Sequence, residues 1–131
     1  MWAGQDGVRL LDFAQHSEQE RESLDRFPRL SDGTIAWSQV PEDLVTATTS
    51  DLGGLGVMIQ DLIPEGTTVI LFWDSLAIPS VAISRDAFIP LASRVADSIP
   101  EFWVYVPATQ MVIEVTFSGS ITAGRVPPVD R

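Results

Sequence analysis

Apolar positions along the chain follow two regimes that meet near residue 66. In the first, Leu11, Ala14, Leu24 and Phe27 mark a thin apolar stripe around a polar centre, Gln15-His16-Ser17-Glu18-Gln19-Glu20. That spacing predicts one helix or two over residues 7–26. Its outward side sets Arg21 four residues before Asp25 and Glu22 four before Arg26, exposed pairs worth about 0.3 kcal/mol each. Pro28 and the Ser31-Asp32-Gly33 turn end the segment, and Thr34–Trp37 reads as a short strand. Ser50 is a suitable N-cap, after which Leu52, Leu55, Ile59, Leu62 and Ile63 recur at helical spacing, predicting a helix over 51–63 closed by Pro64-Glu65-Gly66. The glycines at 53, 54 and 56 each weaken that helix by about 1 kcal/mol relative to Ala, which points to close backbone packing.

From Thr67 the period becomes two. Thr67–Asp74 is apolar on both pleat faces, as in a strand covered on two sides. Residues 80–84 form a second strand, and Asp86 opens a helix over 86–98 in which Phe88, Leu91, Ala92, Val95 and Ile99 share a face. Strands at 102–106, 111–118 and 121–126 complete the pattern. A two-residue Gly119-Ser120 turn places Phe117 opposite Thr122 and Glu114 opposite Arg125, with Ile113, Val115 and Phe117 toward the core. The expected fold class is α+β: a single domain over 1–131, with a mainly antiparallel sheet of about five strands and the 51–63 and 86–98 helices packed on it. Residues 1–66 form a mostly helical, acidic front and 127–131 a tail.

Composition narrows the chemistry. A chain of 131 residues, 45% of them hydrophobic, suits one core. The absence of Cys excludes disulfides, thiolate nucleophiles and Cys-ligated zinc, and a single His removes the commonest metal clusters. Neither a metal nor a cofactor is therefore expected. Eight Arg and no Lys stand against 18 acids, a net charge of −10, with 12 of the acids in residues 1–66. Binding to DNA or RNA depends on cations that displace counterions, so nucleic acid is a poor partner. No apolar run nears the roughly 20 residues that span a bilayer, and Met1–Asp6 has neither the basic start nor the apolar stretch of a signal peptide. These features predict a cytoplasmic protein without membrane contact.

Three groupings could carry catalysis, and each has a plainer explanation. His16-Ser17-Glu18 contains the residue types of a nucleophilic site, but helix neighbours one apart cannot form a relay, which leaves a solvated histidine. Asp51-Leu52-Gly53-Gly54-Leu55-Gly56 lacks the lysine of a phosphate loop. Asp74, Glu101 and Glu114 could pair for acid–base work only if the fold brings two of them together. The aromatic residues give a sharper expectation. Trp73 closes the most apolar strand, Trp103 and Tyr105 share a pleat face, and Asp74, Glu101, Glu42 and Asp43 rim them. Such a surface suits a protein partner, with rings as desolvated anchors and acids steering a basic molecule. Because both faces of these strands are apolar, one must be covered by the N-terminal segments, a second subunit or a partner.

In its small size, acidity, aromatic-rich sheet and lack of a catalytic set, the chain resembles bacterial immunity proteins that neutralise polymorphic or contact-dependent toxins. The strand–strand–helix–three-strand run from VILFWDSLAIPSVAIS through FWVYVP to VIEVTFSGSITAGRV carries the likeness. The resemblance implies a non-catalytic inhibitor that plugs the basic active site of a toxin, often a nuclease, by presenting carboxylates where phosphates would sit. A homodimeric structural domain or secretion chaperone ranks second, and a small hydrolase third.

Overall fold

The structure, a computed structural model, describes residues 8–31, 34–40, 44–49, 55–73, 80–92, 101–116 and 120–127. Its centre is one antiparallel sheet: β1 (Val8–Leu10), β2 (Val45–Thr49), β3 (Thr68–Trp73), β4 (Val81–Ser84), β5 (Phe102–Val106), β6 (Met111–Val115) and β7 (Ile121–Arg125). The seven strands lie in the order β1-β4-β3-β5-β6-β7-β2, which makes β1 and β2 the edges. With helices α1 (Phe13–Glu22), α2 (Leu55–Leu62) and α3 (Arg85–Phe88), the fold is α+β as expected.

Period-two burial divides the sheet into two packed faces. On one, Val69, Leu71, Val104, Ile113 and Ala123 meet Leu55, Ile59 and Ile63, which α2 and its last turn present at four-residue spacing. Phe88 of α3 and Ala92 complete this layer. Arg85 ties the two helices together, since its guanidinium donates to the carbonyls of Gln60 and Ile63 at the C-terminal end of α2. On the other face, Ile70, Phe72, Ala82, Trp103, Tyr105 and Val112 pack against Leu11, Leu24, Phe27, Ile35 and Val40. The second apolar face is thus covered by the chain's own N-terminal segments.

Several elements differ from the sequence reading, each for a tertiary reason. The 7–26 segment is not helical throughout: Val8–Leu10 pairs with β4, and the helix starts only at Phe13. Asp12 defines that start through a capping box, its carboxylate accepting from the Gln15 amide at 2.8 Å while Gln15 Oε1 accepts from the Asp12 amide at 3.0 Å. Thr34–Trp37 is not a strand; it contributes a single bridge, Arg29 to Ile35, followed by a 310 turn at Trp37–Gln39. The Val45–Thr49 edge strand was not anticipated, although its β-branched content was visible. Within 86–98, α3 spans Arg85–Phe88 and gives way to a 310 turn at Ile89–Leu91 in which Pro90 sits near the start. Residues 51–54 and 93–98 of the two predicted helices lie outside the described residues.

The β6–β7 register is also corrected. Thr116 and Ser120 close the loop, through the Thr116 amide donating to the Ser120 carbonyl and the Ser120 amide donating to Thr116 Oγ1, so that three residues intervene. The register moves by three positions: Glu114 lies opposite Thr122, and Arg125 opposite Met111. An odd shift sends Arg125 to the other pleat face from Glu114, so the predicted charge pair does not form. Ile113 and Val115 face the core as predicted, while Phe117 lies outside the described residues.

Candidate functional site

The predicted aromatic surface turns inward. Trp73 is buried on the helix side of the sheet with its ring 5.9 Å from that of Phe102. Trp103 (4% exposed) and Tyr105 lie beneath the N-terminal layer. These three rings are core side chains and cannot serve as exposed anchors, which corrects the expectation placed on them. Glu101 is half-buried at the entrance to β5, and Asp74, Glu42 and Asp43 lie outside the described residues.

What the face beneath the N-terminal layer holds instead is a buried carboxylate. Glu114 is 2% exposed. Its Oε2 accepts from the Ile35 amide at 2.6 Å and the Trp103 indole at 2.8 Å, and its Oε1 accepts from the Trp37 indole at 2.9 Å. A charge this deep would be costly without partners, and three N–H donors to one carboxylate are the arrangement that offsets the cost. The donors come from the N-terminal layer and from the neighbouring strand, so Glu114 fastens residues 35–37 to the sheet. The Arg29 guanidinium stacks 5.4 Å above the Trp103 ring on the same seam. Buried and with both oxygens accepting, Glu114 is a structural tie between the two layers.

His16 is not the solvated residue expected. Its Nδ1 and Ser80 Oγ share a hydrogen bond, its Nε2 lies 3.6 Å from Glu20 Oε2, and its ring meets the edge of Phe72 at 5.5 Å. Serine, histidine and carboxylate are therefore in line. Ser80, however, is 2% exposed and immediately precedes β4, with its carbonyl accepting from the Leu11 amide. A nucleophile must reach a carbonyl carbon of a substrate; this hydroxyl is sealed between α1 and β4 and joins the two. Among the described residues no three His, Cys, Asp or Glu gather as metal ligands. A cavity of about 240 Å³ opens at the β5–β6 turn, and among the described residues it is lined by Leu44, Thr109, Gln110, Arg125 and Val126, none of them an acid, histidine or serine.

The surface feature that sequence reasoning missed lies at the start of α1. Phe13 is 78% exposed and Leu10 is 53% exposed. They flank the Asp12 cap. No residue of α1 is fully buried, and Asp12–Glu22 carries Asp12, Glu18, Glu20 and Glu22 against Arg21, a net charge of −3 with His16 neutral. Phe13 stood outside the apolar stripe of the helix, which was itself the available signal: an aromatic ring off the core-facing stripe has no partner within its own element. No helix among the described residues is long and apolar enough to cross a membrane. Compared with known protein families the chain matches none, and no curated protein matches it.

Proposed function

We propose that this chain is a non-catalytic acidic binding module that inhibits a basic protein, acting inside the producing cell as toxin-immunity proteins do. The observation that supports this reading is the pairing of two large exposed apolar side chains, Phe13 and Leu10, with the net negative α1. Such a pairing gives a partner an anchor to desolvate and a field to steer it, the two components of a protein interface. The partner-binding surface is accordingly assigned to α1 and its approach, in place of the buried Trp73, Trp103 and Tyr105.

The test is to co-purify the chain with the product of the adjacent reading frame and measure association by stopped flow. A basic partner should associate with a rate that falls steeply between about 50 and 500 mM salt, as the Debye length shrinks from roughly 14 to 4 Å. A rate indifferent to salt removes the steering role.

The in-line Ser80, His16 and Glu20 favour a second reading, a serine hydrolase. It requires Ser80 to become accessible, and labelling by a fluorophosphonate probe in the native protein, lost in Ser80→Ala, would establish it. The burial of Ser80 predicts no labelling.

A further inference from the structure

Resting on the binding-module reading, we infer that the basic partner docks by adding an extended segment to the free edge of β1. The Leu11 amide donates to the Ser80 carbonyl at 2.8 Å, and the β1–β4 register runs Val8 to Ile83, Arg9 to Ala82 and Leu10 to Val81. In an antiparallel ladder inward and outward hydrogen bonding alternates residue by residue. Leu11 and Arg9 therefore bond inward to β4, and the amide and carbonyl of Val8 and Leu10 point to the open edge. β1 is terminal in the sheet, so among the described residues no strand takes up those groups.

Two further observations single out this edge over β2. Large exposed apolar side chains adjoin it, Leu10 on the strand and Phe13 three residues on, within about 10 Å along the chain. None lies among the described residues of β2. Charge then selects the occupant. Asp12–Glu22 is net −3, and the chain as a whole is −10, so a second copy is repelled while a cationic strand is drawn in. Arg9, the one cation of β1, leaves the opposite pleat face from Leu10 and is outnumbered by the four acids that follow. Strand addition supplies affinity through the main chain and specificity through alternate side chains, here an apolar contact to Leu10 and Phe13 and cationic positions toward α1.

The probe is a blocked hexapeptide alternating Lys and Val, with its Glu and Val counterpart as control, titrated into the ¹⁵N-labelled full chain. The basic peptide should shift the amides of residues 8–13, slow the exchange of the Leu10 amide, and weaken as salt rises; the acidic peptide should do none of these. Leu10→Ala, which keeps the outward amide, should weaken binding about tenfold, while Leu10→Pro, which deletes that amide on an edge where proline is tolerated, should abolish it. Arg9→Glu, which retains all amides, should tighten it. Equal binding by Leu10→Ala and Leu10→Pro, or shifts confined to the α1 side or to β2, would overturn edge pairing while leaving the acidic-module reading in place. If Leu10→Pro does not fold, the exchange of the wild-type Leu10 amide decides alone. A self-associated dimer protecting β1 without peptide would replace the basic partner with a second copy. Failure of the basic peptide to bind at all would overturn edge pairing, and the salt dependence of the native partner's association decides the acidic-module reading separately.

Discussion

Glu114 shows most directly how one side chain holds two layers together. Replacing it with Gln keeps the shape, but turns one acceptor into an amide that faces an N–H donor. Breaking a buried polar set of this kind costs about 2–4 kcal/mol, so Glu114→Gln should lower the urea midpoint by that equivalent, with a change in indole emission as Trp37 or Trp103, whichever then faces the amide, loses its acceptor. A fall below about 0.5 kcal/mol would show the carboxylate to be dispensable. Tyr105 offers a second residue-scale test. Burial first, then the Glu22 carboxylate, pushes its hydroxyl above the ordinary 10.0, against the opposing pull of Arg26. The folded state thus holds the phenolic proton more firmly than the unfolded one. This contribution is fully present below pH 10 and is lost as the pH rises through the folded value, because unfolding then releases the proton. Tyr105 is the only tyrosine, so its absorbance titration reads it alone, and Tyr105→Phe should flatten the alkaline decline in stability.

Elements here are held by unequal means. The sheet interior and α2 are secured by apolar burial, and Phe72→Ala should cost about 3–4 kcal/mol in a denaturant titration through the cavity it leaves. α1 has no fully buried residue and depends on its Asp12 cap, the His16–Ser80 hydrogen bond and Ser23 Oγ donating to the Gln19 carbonyl. It should be the first helix to exchange its amides, and Asp12→Ala should speed that exchange while costing about 1 kcal/mol. The Trp37 turn is fixed from the opposite side. A methyl group added at Gly124 would sit 2.6 Å from the Trp37 ring and 3.1 Å from the Leu44 carbonyl oxygen. Gly124→Ala should therefore displace the indole and cost about 1–3 kcal/mol, seen as a shifted Trp37 side-chain resonance and a lower melting temperature. An unshifted indole would mean that the ring moves freely aside.

For the whole molecule, charge and topology act on different properties. The −10 charge bears on solubility and association, and Phe13→Ala should raise the partner's dissociation rate about tenfold with little effect on its salt dependence. Topology sets the partners: in the strand order of the sheet β1 pairs with β4 and β2 with β7, so each edge strand takes its neighbour from a distant stretch of chain. That order explains which elements escaped sequence reading. Val8–Leu10 is too short to show a period of its own, and its strand character comes entirely from β4. The loop closed by Thr116 and Ser120 shifted a register that a shorter glycine turn would have set differently.

Alternation and helical spacing, read from the sequence alone, established the α+β class, the central two-faced strands and the residues of α2 that enter the core. Each of these is a demand a segment makes locally, since an apolar face must be buried wherever it lies. Which surface buries it is a matter of long-range closure, and only the tertiary structure decided that the N-terminal segments cover the second face. The same closure drew Trp103 and Tyr105 inside, gave Glu114 its three donors, brought His16 to Ser80 and left Phe13 outside. A pattern states that a side chain needs a partner; the folded chain supplies it from far along the sequence, as Ile35 does for Glu114 across 79 positions.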